Sequence, residues 1–119
     1  MQINGVELEY NYSEEKTNRA TMEVVLYMAE KGAESVGKPL PDSIGILSAG
    51  IKHCFDLIFG EGTGERVCGK ENDLLVCVNA YSELIEEKQR QEEIMLESAR
   101  KLQELLGGTE EGNEKAEEV

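Results

Sequence analysis

The run FGEGTGERVCGKEN, residues 59–72, decides how this chain folds, because it separates two strongly apolar helix patterns. A glycine directly after a helical run is a typical C-terminal cap, so Gly60 is expected to end the preceding helix. Thr63 is expected to cap a short helical turn that Gly69 then ends. We interpret the run as a structural loop that fixes how helices meet. Its key residues are Phe59, Gly60, Glu61, Gly62, Thr63 and Gly69.

The segment before the loop has the spacing of an amphipathic helix, with an apolar residue at every third or fourth position. Asp42 or Ser43 is expected to cap this helix. Gly45 and Gly50 weaken it, and we expect their missing side chains to admit a neighbouring helix. The expected core face consists of Ile44, Leu47, Ile51, Phe55 and Ile58.

Residues 1–12 show the apolar and polar alternation of a strand, and Asn4-Gly5 is a turn signal. They predict a short N-terminal strand or hairpin. Ser13 is a good cap for a first helix. That helix must end before Lys38, since Pro39 restricts the residue that precedes it. Its apolar stripe, expected to face the core, is Met22, Val25, Leu26 and Ala29.

A last, long helix is predicted from residue 73 to about residue 106, with Asn72 as its cap. Its apolar seam repeats in heptads: Leu74, Val78, Tyr81 and Ile85, then, after a polar middle, Met95, Ala99, Leu102 and Leu106. The first half is assigned to the core. The second half, residues 88–106, either packs back on the domain or forms an arm that contacts another molecule. Its expected partner-binding residues are Met95, Leu96, Leu102, Leu105 and Leu106.

These patterns predict one mainly α domain over residues 1–106, a small bundle of about four helices with a short N-terminal strand or hairpin. Residues 107–119 are rich in glutamate and poor in apolar side chains, so they are expected to form a disordered acidic tail.

The charge balance restricts the partners of the chain. Its 25 acidic and 12 basic residues give a net charge of −13, which disfavours binding to DNA, RNA or an anionic membrane. No apolar run is long enough to span a bilayer, and the first residues lack the apolar core of a signal peptide. Free thiols in a reducing cytoplasm are therefore expected.

The sequence offers no clear catalytic or metal-binding pattern. Cys54, Cys68 and Cys77 lack the close pairing of zinc ligands, and His53 is the single histidine. The glycine run lacks the lysine and hydroxyl residue of a phosphate-binding loop. We expect buried thiols, no metal, no cofactor and no enzymatic activity.

The opening MQINGVELEY, the segment IKHCFDLIFGEGTGERVCG and the segment NDLLVCVNAYSELIEE together resemble the small tail assembly chaperones of long-tailed phages and prophages of Gram-positive bacteria. The resemblance rests on a strand-like start of the form INGVELE, on FGEGT at residues 59–63, on VCG at 67–69 and on LVC at 75–77. It covers about half of the chain.

The resemblance implies a non-enzymatic role in the cytoplasm of the bacterial host cell. Such chaperones coat the long, helical tape measure protein, keep it soluble and help to recruit tail tube subunits. Self-association through the last helix is expected as well. The alternative function is an acidic inhibitor that mimics nucleic acid, and a small enzyme is the third hypothesis.

Overall fold

The computed structural model of the protein describes residues 1–107, which are mainly helical. In chain order the elements are β1 (Gln2–Ile3), β2 (Val6–Glu7), α1 (Glu15–Ser35), α2 (Leu40–Phe59), α3 (Thr63–Cys68) and α4 (Leu74–Gly107). The predicted fold class is confirmed: four helices, of which the last is long, follow a short antiparallel hairpin. The tail predicted for residues 107–119 lies outside the described residues, apart from Gly107 at the end of α4.

Contacts between Cα atoms divide the chain into two units, Met1–Lys88 and Gln89–Val119. The first unit contains the hairpin, α1, α2, α3 and the beginning of α4. The described part of the second unit, residues 89–107, consists of α4 alone.

The N-terminal hairpin is anchored by buried side chains and by a hydrogen bond to α3. Asn4 and Gly5 form its turn with φ angles of 50° and 81°, which confirms the predicted turn. Ile3 and Leu8 are buried. The Asn4 side-chain amide donates a hydrogen bond of 2.9 Å to the carbonyl oxygen of Val67 at the end of α3. A hairpin this short is marginal alone, so these contacts hold it.

The buried face of α1 is not the predicted one. Thr21 and Val24 are buried, whereas the expected core residues Met22, Val25, Leu26 and Ala29 are exposed. Burial of Thr21 is possible because its hydroxyl forms a 2.9 Å hydrogen bond with the Tyr10 hydroxyl and donates one to the Thr17 carbonyl. The segment after the hairpin therefore covers this side of α1.

The start of α1 also differs from the prediction. Glu14, not Ser13, occupies the N-cap position. The Ser13 hydroxyl donates a 2.7 Å hydrogen bond to the Asn11 side-chain oxygen, and the Ser13 amide donates to the same oxygen. Ser13 thus belongs to a turn before the helix.

Helix α2 begins earlier than expected, because proline is favoured where a helix needs no amide donor. Pro39 is the N-cap and Pro41 lies in the first turn, so neither Asp42 nor Ser43 caps the helix. The Ser43 hydroxyl instead donates to the Ser35 carbonyl at the end of α1. Of the predicted core face, Ile51 and Phe55 are buried, and Ile44, Leu47 and Ile58 are half-buried.

The two glycines inside α2 have different surroundings. A Cβ at Gly50 would lie 3.2 Å from Lys31 Cγ and 3.3 Å from Met28 Sδ, so α1 packs closely there. A Cβ at Gly45 would meet nothing within 4 Å. The predicted close approach of another helix is therefore wrong at Gly45.

The buried residues of α4 lie one position before those of the predicted seam, which corresponds to a rotation of about 100° around the helix axis. Cys77, Ala80 and Leu84 are buried. Of the predicted positions, Leu74, Tyr81 and Ile85 are half-buried and Val78 is exposed. The small side chains of Cys77 and Ala80 allow close packing, which a seam chosen for large apolar residues overlooks.

The cap of α4 is Asp73. Its side-chain oxygen accepts hydrogen bonds from the amides of Leu75 and Val76, at 3.1 and 3.4 Å. The predicted cap, Asn72, instead accepts a hydrogen bond from the Lys52 ammonium group at 3.2 Å.

Candidate functional site: loop scaffold and exposed apolar surfaces

The glycine-rich loop forms a tight junction between α2 and α3. A Cβ at Gly64 would lie only 2.2 Å from the Lys52 carbonyl oxygen, so the two backbones touch at this point. The Gly64 amide donates a 2.8 Å hydrogen bond to the Asp56 carboxylate, which caps α3. Thr63, the predicted cap, is the buried first residue of that helix, and Gly62 takes the N-cap position.

The side chain of Lys52 also fixes the link from α3 to α4. Its ammonium group donates to the carbonyl oxygens of Lys70 and Glu71, at 3.2 and 2.9 Å, and to the Asn72 side chain. One residue of α2 therefore contacts α3 through its backbone and holds the following loop through its side chain.

The other loop residues lie around this junction. Phe59 is half-buried. The centroid of its ring lies 5.9 Å from the ring centroid of Tyr10 and 6.0 Å from that of Phe55. Gly60, Glu61, Gly62 and Gly69 are exposed. Gly62 and Gly69 have φ angles of 93° and 86°, which favour glycine. The contacts of the loop are those of a scaffold.

In the second unit, the described part of α4 exposes a set of large apolar side chains, here called the distal apolar surface. Met95, also predicted to bind a partner, is half-buried. Ile94 is not among the predicted partner-binding residues, because it lies outside the heptad seam. The members of this surface, between 54% and 83% exposed, are Ile94, Leu96, Leu102, Leu105 and Leu106.

Charged residues on the same segment pair along the helix. Arg100 forms salt bridges with Glu97 and with Glu104, the latter at 3.2 Å. Residues 89–107 contain four acidic and three basic side chains, so this segment is nearly neutral in a strongly acidic chain. Its apolar side chains are available for contact without a large repulsive charge.

A second exposed apolar surface lies on α1 and is here called the α1 stripe. Sequence reasoning selected most of its members but assigned them to the core. The correct face depends on Thr21, whose hydroxyl has two hydrogen-bond partners that the sequence pattern does not reveal. The α1 stripe consists of Met22, Val25, Leu26, Ala29, Ala33 and, directly after the helix, Val36.

The three thiols are buried and free, as predicted. Burial raises the pKa of Cys54 to about 12. Burial, with a further contribution from Cys77, raises the pKa of Cys68 to about 12. Because the thiolate is the reactive form, these two side chains are poor nucleophiles near neutral pH.

The remaining titratable candidate, His53, is exposed, and its ring lies 4.9 Å from that of Tyr27. Within residues 1–107 no three histidine, cysteine or acidic side chains are grouped as metal ligands. None of the helices in this range combines the length and the apolar character that crossing a membrane requires.

Comparison with protein families gives a match over residues 4–117, which include the hairpin turn, all of α1 to α4 and both apolar surfaces. Comparison with curated proteins gives no significant match, and comparison with solved structures gives none either. Since the family match spans nearly the whole sequence, the chain belongs to the family of unknown function DUF6673.

Proposed function

We propose that this protein is a non-enzymatic tail assembly chaperone of a long-tailed phage or prophage. In this proposal it binds the tape measure protein during tail assembly in the cytoplasm of the bacterial host cell. It also recruits tail tube protein and associates with further copies of itself. The identity of the client rests on the sequence resemblance carried by residues 1–10, 51–69 and 72–87.

The observation that carries a binding role is the distal apolar surface. Four leucines and one isoleucine on about three turns of helix stay largely in contact with solvent. Exposed apolar side chains grouped in this way are typical of protein interaction sites. At about 100° per residue, Ile94, Leu102, Leu105 and Leu106 fall within an arc of about 120°. Helix-in-groove and coiled-coil contacts both use such a face, and both suit a long helical client.

The charge distribution supports the same role. The net charge of −13 keeps the chaperone and its complex dispersed, because like-charged particles repel one another. The apolar residues lie on the nearly neutral segment 89–107, so a client helix meets little repulsion there. A chaperone for an aggregation-prone helix needs both properties.

Co-expression with a fragment of a tape measure protein tests the proposal. The fragment is chosen to be insoluble when expressed alone, and its amount in the soluble fraction is measured with and without the full chain. The expected result is a soluble complex that co-purifies. A fragment that stays insoluble with the full chain would contradict the proposed function.

Two variants assign the binding to the distal apolar surface. Leu102→Asp combined with Leu106→Asp is expected to return the fragment to the insoluble fraction. Leu75→Asp combined with Val78→Asp is the control, because both residues are exposed apolar positions of α4 outside that surface. Equal loss of solubility in both variants would remove the distal apolar surface from the proposal.

A further inference from the structure

We propose that the α1 stripe is a docking site for an amphipathic helix whose apolar face is flanked by lysine or arginine. This inference goes beyond the proposed function. It concerns a different surface, and it does not depend on which protein supplies the helix.

The α1 stripe has the geometry of a helix-binding face. With about 100° per residue, Met22, Val25, Leu26, Ala29 and Ala33 fall within an arc of about 100° and extend for about 17 Å along α1. The largest of them are well exposed, Met22 at 56% and Leu26 at 72%. The buried residues of α1, Thr21 and Val24, lie outside this arc, so the stripe is left mainly to solvent.

Small residues at the centre of the stripe allow a second helix to come close. Ala29 and Ala33 carry only a methyl group, and a Cβ at the neighbouring Gly32 would meet nothing within 4 Å. The bulkier Met22 and Leu26 lie towards one end, with Val36 at the other. Helix axes approach most closely where the side chains at the contact are small.

Acidic side chains on one flank of the stripe define the charge of the partner. Glu23 and Glu30 are exposed, lie on the same flank and are two turns apart, which is about 10.5 Å. Neither forms a salt bridge within residues 1–107. Two cations of α1 form ion pairs with other glutamates: Arg19 pairs with Glu15 at 2.6 Å, and Lys31 pairs with Glu34 at 3.2 Å. A partner helix with cations at a matching spacing complements this flank.

The same charges argue against two other occupants. In an antiparallel symmetric pair of α1 stripes, Glu23 and Glu30 of one copy would face the acidic flank of the other. Residues 108–119 of the chain contribute five glutamates and one lysine, so this segment has the wrong charge for the site. A basic amphipathic helix combines apolar contact with opposite charge.

Titration of the full chain with a labelled synthetic helix tests the inference. The probe carries a leucine and alanine stripe with flanking lysines spaced seven residues apart. A second probe has the same stripe with glutamates in place of the lysines. Fluorescence anisotropy is expected to show saturable binding of the lysine probe and a Kd at least about tenfold higher for the glutamate probe.

Matched variants locate the binding site. Leu26→Asp is expected to raise the Kd of the lysine probe about tenfold or more, whereas Leu75→Asp leaves it unchanged. If circular dichroism shows that Leu26→Asp lowers the helix content, Leu26→Gln replaces it. Unchanged binding by the Leu26 variant, or weaker binding by Leu102→Asp alone, would overturn the assignment to the α1 stripe.

A second pair of variants separates local charge from total charge. Glu23→Gln with Glu30→Gln is expected to weaken binding of the lysine probe and to reduce its salt dependence. Glu83→Gln with Glu86→Gln removes the same charge from exposed positions of α4 and is expected to change little. Equal weakening by both pairs, or no saturable binding by the unmodified chain, would refute the proposed site.

Discussion

Gly64 of α3 lies against the backbone of Lys52 in α2, and a Cβ on Gly64 would come within 2.2 Å of the Lys52 carbonyl oxygen and 2.6 Å of its Cα. Real Cβ atoms do not approach backbone atoms so closely, so only glycine fits between these helices. The contact explains why a glycine follows the first residue of α3, and it makes this junction the most sensitive point of the loop.

Replacement of this glycine tests the junction. Gly64→Ala is expected to lower the free energy of unfolding by about 3 kcal/mol, because backbone atoms of α2 or α3 must shift to admit the methyl group. Urea unfolding measures the change. Gly45→Ala in α2 is the control: its added Cβ meets nothing within 4 Å, so we expect it to stabilise by about 0.5–1 kcal/mol. Similar losses in both variants would mean that the junction is not special.

Two adjacent valines of α1 test which face of the helix is buried. Val24 is fully buried and Val25 is 41% exposed. Val24→Ala is expected to cost about 2 kcal/mol, since it removes buried methyl groups and leaves a cavity, whereas Val25→Ala costs less than about 0.5 kcal/mol. Thermal or urea unfolding of both variants gives the comparison. A larger loss of stability for Val25→Ala than for Val24→Ala would mean that the face predicted from the sequence is the buried one.

The hydrogen bond from the Asn4 side chain to the Val67 carbonyl can be tested by a substitution that removes only its donor. Asn4→Asp keeps a residue that tolerates the positive φ angle but removes the donor, and it is expected to destabilise by about 1 kcal/mol or more. Asn11→Asp is a matched control, because Asn11 acts as an acceptor for Ser13 and aspartate retains that oxygen. Unfolding curves that move equally for the two variants would show that the donor contributes nothing.

The buried thiols predict a loss of stability in alkali. Burial raises the pKa of Cys54 from its ordinary value of 9.0 to about 12. Between these values the unfolded chain releases the thiol proton and the folded chain retains it, so the free energy of unfolding falls as pH rises from 9 to 12. The slope is about 1.4 kcal/mol per pH unit for each such thiol.

A cysteine variant isolates this effect from the titration of lysine and tyrosine in the same pH range. Cys54→Ala is expected to be less stable at neutral pH but to show a shallower decline above pH 9 than the unmodified chain. Urea unfolding at several pH values in the presence of a reductant provides both slopes. Parallel declines would contradict the assigned role of the Cys54 thiol.

Local patterns were enough to predict the elements of this fold. Alternation and the Asn4-Gly5 turn predicted the hairpin, and apolar spacing together with Gly60 and Gly69 predicted where helices end. These features depend on neighbours in sequence. The distal leucines were also predicted as exposed partner-binding candidates, because the polar residues before them interrupt the core pattern.

Contacts between distant residues decided what the sequence patterns predicted wrongly. Asn72 and Asp73 are both good caps. The Asn72 side chain accepts a hydrogen bond from Lys52, which is distant in sequence, and Asp73 caps the helix. The burial of Thr21 depends on Tyr10 in the same way. The spacing of apolar residues along α1 selects the wrong face, because it does not include a buried hydroxyl that has hydrogen-bond partners.

The link between Asn4 and Val67 has a consequence for the order of events during synthesis. The two residues are 63 positions apart, so the hairpin leaves the ribosome long before its docking site exists. At about 5–20 residues per second, roughly 3 to 13 seconds separate the two. During that interval α1 and α2 are synthesised, and the Asn4 side chain has no Val67 carbonyl to bind. The hairpin can therefore complete its docking only after α3 has been synthesised.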